Sequence, residues 1–540
     1  MHNFSLRGLL LFFLFATAPT ISIMAQSSGS GKTVTVGLFI LLALVFISAV
    51  MLVSDNLLGL QARKYGVDNL EDDKQGSFLS MFSDKVPDYV NGSYTRLKEG
   101  FDIKLKGEAR KEIRDVAVST VALQPTNFVG MSPIPKVVVE EGAEVLAGDP
   151  IFFDKKRPEI QYVSPVSGEI VSINRGLKRA ITEVVILVDG EQRYREVPAI
   201  DLATISREDL VTFLLEIGGW TLLRQRPYDI VPAVDSTPAN IFISTFDTAP
   251  LAPDQGFILQ GQEEAFQKGI DLLARLTEGE VHLGLDGSGE VAPAGFSEFS
   301  ATKHYFAGPH PAGNVGVQLH HVAPVNNVAT AWVLGVQDVI TLGKLLTEQR
   351  YDGQRIIALT GDGMADPHYV RTYQGAKLSD LLKDQMTQEG LRIISGDVLA
   401  GEQKQADQFL NFSADQVTVI SEGNEHELFG WLLPFKARPS ISRSFPNFLF
   451  PDVPISATTN THGEERAFVV TGQYESMLPM DVFPQHLMKA ILANDFERME
   501  GLGIYELSEE DVALAEFACT SKQPLQHILR EGLNFMREQG

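Results

Sequence analysis

The sequence predicts a multidomain α/β protein preceded by a transmembrane helix, and three observations carry that expectation. Residues 34–53 form an uncharged, almost wholly apolar run. About 20 residues at a rise of about 1.5 Å each are enough to cross a hydrocarbon core about 30 Å thick. From residue 101 to about 198, short β-rich segments alternate with glycine turns. From about 201 to 350, strand-like runs alternate with helical spacing, the pattern of an α/β layer fold.

Composition bounds the function. The chain has 540 residues, 44% of them hydrophobic, which is enough for three or four separate cores. A formal charge of −24 argues against nucleic acid as a partner, because phosphate recognition needs clustered Lys and Arg. Cys519 is the only cysteine. No disulfide within the chain is possible, and neither an iron–sulfur cluster nor a thiolate zinc site can be built from this chain alone. Cys519 lies in an apolar helical pattern with Leu514, Phe517 and Ala518, the setting of a small core residue.

The N-terminal region has a second apolar stretch over residues 6–25. Arg7 precedes a block beginning Leu9-Leu10-Leu11-Phe12-Phe13, and small residues follow near Ala25-Gln26, the layout of a secretory signal peptide within residues 1–26. Ile23 stands where a small residue is preferred, so an uncleaved first helix, forming a hairpin with 34–53, is the rival reading. Either way residues 26–33 are expected outside and the main body in the cytoplasm. Arg63 and Lys64 after the span agree with the positive-inside bias, although Asp72 and Asp73 lie close by. The expected location is the inner, cytoplasmic membrane. Residues 55–100 read as a polar linker with one short amphipathic helix.

Residues 101–198 hold two similar modules. One is Lys136-Val137-Val138-Val139 followed by turns at Gly142 and Gly148 and by Ile151-Phe152-Phe153; the other is Val163-Ser164-Pro165-Val166-Ser167-Gly168-Glu169-Ile170-Val171. Together they resemble the flattened barrel of biotinyl/lipoyl carrier domains, in which a lysine on an Asp-Lys hairpin turn carries the prosthetic group. Lys155, in Asp154-Lys155-Lys156, is the carrier candidate. Fold alone does not fix function, so the barrel is read as a scaffold and Lys155 as an ordinary exposed lysine.

Residues 201–354 are expected to form a Rossmann-like α/β domain. Asn240-Ile241-Phe242-Ile243-Ser244 reads as a strand, and Phe266, Ile270, Leu273 and Leu276 share one helical face. Trp332-Val333-Leu334-Gly335 and Val339-Ile340-Thr341-Leu342-Gly343 read as a further strand and turn. No Gly-x-Gly-x-x-Gly fingerprint follows a strand, and Gly31-Lys32-Thr33 lacks the first glycine of a phosphate loop. Gly284-Leu285-Asp286-Gly287-Ser288-Gly289 reads as a turn. The pair Gly218-Gly219 could let a flavin phosphate approach, but Trp220 and Arg224 follow at once and are expected to fill that space. His310, His320 and His321 fall in one segment; a strand would point the last two to opposite faces, away from a common metal. No Gly-x-Ser-x-Gly elbow supports a serine nucleophile. Residues 355–415 read as a small β-rich module and 416–540 as a C-terminal α/β and helical region. There Ser508 through Asp511 resembles a capping box and Pro524 opens the last helix.

Phe128-Val129-Gly130-Met131, Ser164-Pro165-Val166-Ser167-Gly168, Ile173-Asn174-Arg175-Gly176, residues 220–227 and 310–321, and Ser521-Lys522 together resemble the A subunit of the sodium-translocating NADH:quinone oxidoreductases (Na+-NQR). The resemblance runs from about residue 101 to the end; the apolar N-terminal region is extra to it. It implies membership of a complex that oxidises NADH, reduces ubiquinone and pumps sodium, using FAD, FMN and iron–sulfur centres held by other subunits. It also implies a β-grasp (SLBB-like) fold for 355–415. The flavin-and-NADH relatives of this family use a glycine-rich flavin loop and cysteine clusters, and this chain has neither. The resemblance therefore implies a cofactor-free subunit, not catalytic alone, with no catalytic, cofactor-binding or metal residue to assign. It would act as a cytoplasmic scaffold against the quinone-reducing membrane B subunit. Contact with ubiquinone is a further expectation, for which His310, His320, His321 and Arg224 are the available donors. The alternative is a flavin- or NADH-binding subunit of a related oxidoreductase.

Overall fold

The computed structural model describes residues 86–293, 295–425, 437–442 and 452–539. The expected signal sequence (1–26), the transmembrane helix (34–53) and most of the linker (55–100) lie outside the described residues. Among the described residues no helix is long and apolar enough to cross a membrane. Pro87–Gly540 forms one unit.

The barrel is built from two antiparallel sheets. One orders Thr120–Leu123, Ile181–Val188, Gly168–Arg175 and Glu144–Val145; the other orders Lys136–Val137, Pro150–Asp154 and Arg157–Val163. Period-two alternation drives Ile160 and Tyr162 inward from the strand Arg157–Val163, where Tyr162 stacks on Phe152 at 5.2 Å. Each such fully buried side chain contributes about 1.5–3 kcal/mol. Gly142 and Gly148 turn the chain at φ +84° and +95°, a conformation that costs other residues more.

The α/β domain is a six-stranded sheet ordered Ser93–Arg96, Thr302–Ala307, Val281–Asp286, Asn240–Ser244, Ala331–Leu334 and Arg224–Arg226. All pairings are parallel except the last. The helices Glu263–Leu273 and Val336–Thr347 pack together, with Gly343 so close to Ala265 that a Cβ would sit 1.7 Å from its carbonyl oxygen. Ser93–Arg96 falls within the expected linker yet adds a strand to this sheet. Residues 339–343, expected to form a strand and turn, belong to the helix Val336–Thr347, whose neighbours at i+3 and i+4 (Val336, Val339, Ile340, Gly343) are buried together.

A second mixed sheet orders Glu402–Lys404, Leu391–Ser395, Gln416–Ser421, Gln354–Thr360, His368–Tyr373 and Arg110–Asp115. It spans more of the chain than 355–415. Arg110–Asp115 reaches it from before the barrel, and Gln416–Ser421 lies in its middle, paired on both edges. The C-terminal helices Pro484–Leu492, Phe496–Gly501, Glu509–Ala518 and Leu525–Gln539 share a separate core with Leu97, Phe306 and Val317. Ser508 and Asp511 close a capping box at the third of these helices.

Candidate functional site

The chain order of the α/β sheet fixes where a crevice must open. From Asn240–Ser244 the chain moves outward to Val281–Asp286 and Thr302–Ala307, then returns to the other side as Ala331–Leu334. The direction of growth reverses between Ser244 and Leu334, and open parallel sheets take ligands outside the carboxyl ends of strands at such a point. A crevice of about 440 Å³ lies there, lined by Ser244 and Asp247 after one strand and Leu334 and Gly335 after the other. Arg224 and Arg226 enter from the antiparallel edge strand. Arg355, Asp397 and Asp415 come from the second sheet, and Glu510 from the C-terminal helices.

The crevice is rich in carboxyl groups. Asp247 is exposed and the Glu510 side chain is 43% exposed, yet the protein crowded around them pushes Asp247 up to about 6 and raises Glu510, the latter against the pull of Arg226. Burial also raises Asp415 to about 6, opposed by Arg355, and raises Asp397. The arginines are already committed. Arg226 meets Glu510 at 2.8 Å and Asp511 at 3.3 Å, and Arg355 pairs with Asp338. Arg224 donates to the carbonyls of Thr221 (2.9 Å) and Leu223 (3.1 Å) and lies over the Phe128 ring. Chemically the crevice can exchange protons near neutral pH and hydrogen-bond a small polar group in either sense. Among the described residues no group of three or more His, Cys, Asp or Glu has the geometry of a metal site.

Of the residues singled out from the sequence, Arg224 lines the crevice; Gly218, Gly219, Trp220, Lys155, Cys519 and the three histidines go elsewhere. Gly218 has φ +81° and a Cβ there would come 2.4 Å from Val163, while one on Gly219 would meet Leu214 at 2.8 Å. Gly218 serves close packing of the α/β domain against the barrel, and Gly219 serves packing inside the α/β domain, against Leu214, Leu342 and Leu345. Trp220 is fully buried, donates to the Pro232 carbonyl at 3.1 Å and meets Trp332 edge-on. Gly284 is tight against the Gln318 amide, and Asp286 accepts from the Ser288 backbone at 2.8 Å, so the 284–289 segment is a strand end and turn. Lys155 stands exposed in the two-residue turn between Pro150–Asp154 and Arg157–Val163. Cys519 is buried against the Tyr474 hydroxyl at 2.8 Å.

His320 and His321 lie in the helix Val315–Val322, not a strand, yet still do not converge. The backbone N–H of Asp481 donates to His320 Nε2 at 3.0 Å, so Nδ1 carries the proton and donates to Glu506 at 2.6 Å. His321 Nε2 donates to the Pro479 carbonyl at 2.8 Å. His310 is 3% exposed and its Nδ1 lies 3.1 Å from the Thr248 hydroxyl.

A second polar cluster crosses the sheet through residues the sequence did not single out. Asn240 Oδ1 accepts from the Glu280 N–H at 3.1 Å, so it must also accept from His282 Nε2, likewise at 3.1 Å. His282 Nδ1 then accepts from His304 Nε2 (2.9 Å), and His304 Nδ1 from the Ser93 hydroxyl (2.6 Å). One direction of donation runs through the row. Burial lowers both histidines, His282 to about 4.

The chain matches three family models: the NqrA N-terminal barrel-sandwich hybrid domain over residues 95–189, the NqrA second alpha/beta domain over 205–351 and the NQRA C-terminal domain over 356–406. The A subunit of the Na(+)-translocating NADH-quinone reductase of Vibrio atlanticus is 38% identical over 448 residues, 82% of this chain and 99% of that protein. Its counterpart from Yersinia pestis bv. Antiqua is 39% identical over 449 residues, 82% of this chain and all of that one. The chain belongs to the A-subunit family of Na(+)-translocating NADH-quinone reductases. A NAD+-reducing nickel–iron hydrogenase chain is 13% identical over 60% of this chain and 63% of its own at a TM-score of 0.32, too slight a likeness to carry an argument.

Membership in this NqrA family accounts for the barrel, the α/β domain and the start of the second sheet. It makes the chain one component of a multisubunit membrane complex.

Proposed function

We propose that this chain holds no redox cofactor of its own and serves as the cytoplasmic scaffold of a complex that oxidises NADH, reduces ubiquinone and exports sodium. In this reading the quinone-reducing membrane B subunit packs against it, and residues 34–53 anchor it to the bilayer. One observation carries the reading: the glycine pair that would admit a flavin phosphate is filled by Val163 and Leu214 and followed by a fully buried tryptophan. The histidines that could hydrogen-bond a quinone add support. His320 and His321 are spent on Glu506, Asp481 and Pro479, which supports placing quinone reduction on the membrane partner, although His310 Nε2 has no partner within the described residues.

The test is the absorbance spectrum of the purified full-length chain together with the proteins that co-purify from detergent-solubilised membranes. A colourless protein accompanied by membrane subunits is expected. Stoichiometric flavin absorbance would overturn the proposal.

The rival, a flavin- or NADH-binding subunit, has in its favour the crevice at the strand ends. Its six carboxyl groups oppose a phosphate, and two of its three arginines, Arg226 and Arg355, are already paired. Titration of the chain with NADH, followed by fluorescence, separates the two readings. Modification of Lys155, the remaining alternative, would appear as added mass on the intact chain.

A further inference from the structure

The barrel presents two hairpin loops at one end. The first turns at Lys155-Lys156, between strands that end at Asp154 and restart at Arg157. The second connects Gly168–Arg175 to Ile181–Val188 through Gly176-Leu177-Lys178-Arg179-Ala180. Adjacent residues tie their bases together: Ser132 N–H donates to Asp154 at 3.2 Å, and the Pro133 carbonyl accepts from Ile181 N–H at 3.1 Å. The loops therefore emerge side by side.

Their charge opposes that of the whole chain. Asp and Glu outnumber Lys and Arg by 69 to 45 overall. Yet the two loops bring Lys155, Lys156, Arg157, Arg175, Lys178 and Arg179 together, and residues 172–182 contain no acid. Lys155, Lys156, Lys178 and Arg179 are exposed, and none makes an ion pair among the described residues. Leu177 stands beyond them with 91% of its surface exposed, more than any other large hydrophobic residue described.

The backbone at the tip is unusual. Lys178 and Arg179 hold φ values of +54° and +65°. Side-chain-bearing residues avoid this region, and glycine or asparagine would occupy it at less cost. Two long cations nevertheless stand there, directly after an exposed leucine.

We propose that this tip docks on an anionic phospholipid surface, with Leu177 entering the headgroup–acyl boundary and the surrounding cations facing lipid phosphates. Cations beside an apolar tip match the chemistry of such an interface. An acidic protein partner would satisfy the cations but gives no reason for a solitary exposed leucine. The inference rests on the reading that the chain works at a membrane, which flotation of the full chain with vesicles tests separately.

The full chain carrying Leu177→Cys, labelled with an environment-sensitive fluorophore, is reconstituted into vesicles whose acyl chains bear bromine quenchers. Cys519 is buried and does not compete for the label. Quenching is expected with phosphatidylglycerol present and not with phosphatidylcholine alone, and should be relieved by salt. Lys178→Asn and Arg179→Asn, which suit the left-handed backbone, should each lower tip occupancy about fivefold. A label at Val291, exposed on the α/β domain, should stay unquenched. Absence of quenching in anionic vesicles, or equal quenching in both kinds, overturns the proposal. So does protection of the probe only when other subunits are added, or protection that follows protein concentration, which would mean a second copy of the chain.

Discussion

Asp511 meets Arg226 at 3.3 Å with the two side chains 0% and 3% exposed, joining the C-terminal helices to the edge strand of the α/β sheet. The same carboxylate accepts from the Ser508 backbone and hydroxyl at 2.9 Å each, so one residue both caps its helix and neutralises a buried guanidinium. Removing one member of a buried pair costs more than the pair contributes, because the other charge is stranded. Arg226→Met leaves Asp511 and Glu510 without their cation and is expected to destabilise the fold by about 3–5 kcal/mol. Denaturant unfolding of the variant checks this.

The packing role of Gly218 separates it from a phosphate-loop glycine. Gly218→Ala must place a methyl 2.4 Å from Val163 at φ +81°. A loss of about 2–4 kcal/mol is expected, combining backbone strain with overpacking. Gly142→Ala, at φ +84° with nothing within 4 Å, should lose only about 1 kcal/mol. The comparison of the two melting shifts is the measurement.

Asp415 in the crevice should make stability fall as pH rises. The ordinary value for Asp415 is 3.8 and burial moves it to about 6. Between these values the folded chain binds the proton more tightly than the unfolded chain, so stability declines across pH 3.8–6 and the contribution is flat above. Asp415→Asn should flatten that slope in unfolding midpoints measured as a function of pH.

The histidine row acts in the opposite sense. His282 is lowered from 6.5 to about 4, so the unfolded chain binds its proton more readily. Stability should fall as pH drops from 6.5 towards 4, because a protonated His282 would turn its Nδ1–H against the Nε2–H of His304. His282→Gln should weaken this dependence, leaving the smaller share of His304, read from the same midpoints.

A chain beginning at residue 87 should fold, whereas one beginning at residue 101 should be less stable. The shorter form strips Ser93–Arg96 from Thr302–Ala307 and Asn91 from the Tyr305 hydroxyl, which it accepts from at 2.8 Å. Circular dichroism melts of both forms decide it.

Local pattern made much of this architecture legible. The barrel strands around Gly142 and Gly148, the helix Glu263–Leu273 and the capping box at Ser508 each declare themselves within a dozen residues. What stayed hidden depends on distant partners. Ser93–Arg96 and Arg110–Asp115 read as polar linker or barrel because their sheets are completed by Thr302–Ala307 and His368–Tyr373. Residues 339–343 are apolar at every position but two, and periodicity cannot tell a short buried strand from part of a buried helix. The crevice was invisible for the same reason. Asp247, Asp397, Asp415 and Glu510 are scattered among sixty-nine acids, and only the fold gathers them. The Gly218 pair shows the converse, since Trp220 already argued for a filled space.

The placement of Ser93–Arg96 and Arg110–Asp115 also governs the order of assembly during synthesis. Both segments leave the ribosome early, but their neighbours are made about two hundred or more positions later. Until then each nascent sheet lacks its border, and its unsatisfied amides and carbonyls invite foreign strands. Closing these two borders is a late, topologically slow event, and a growing chain held up before His368 would be the species most in need of a chaperone.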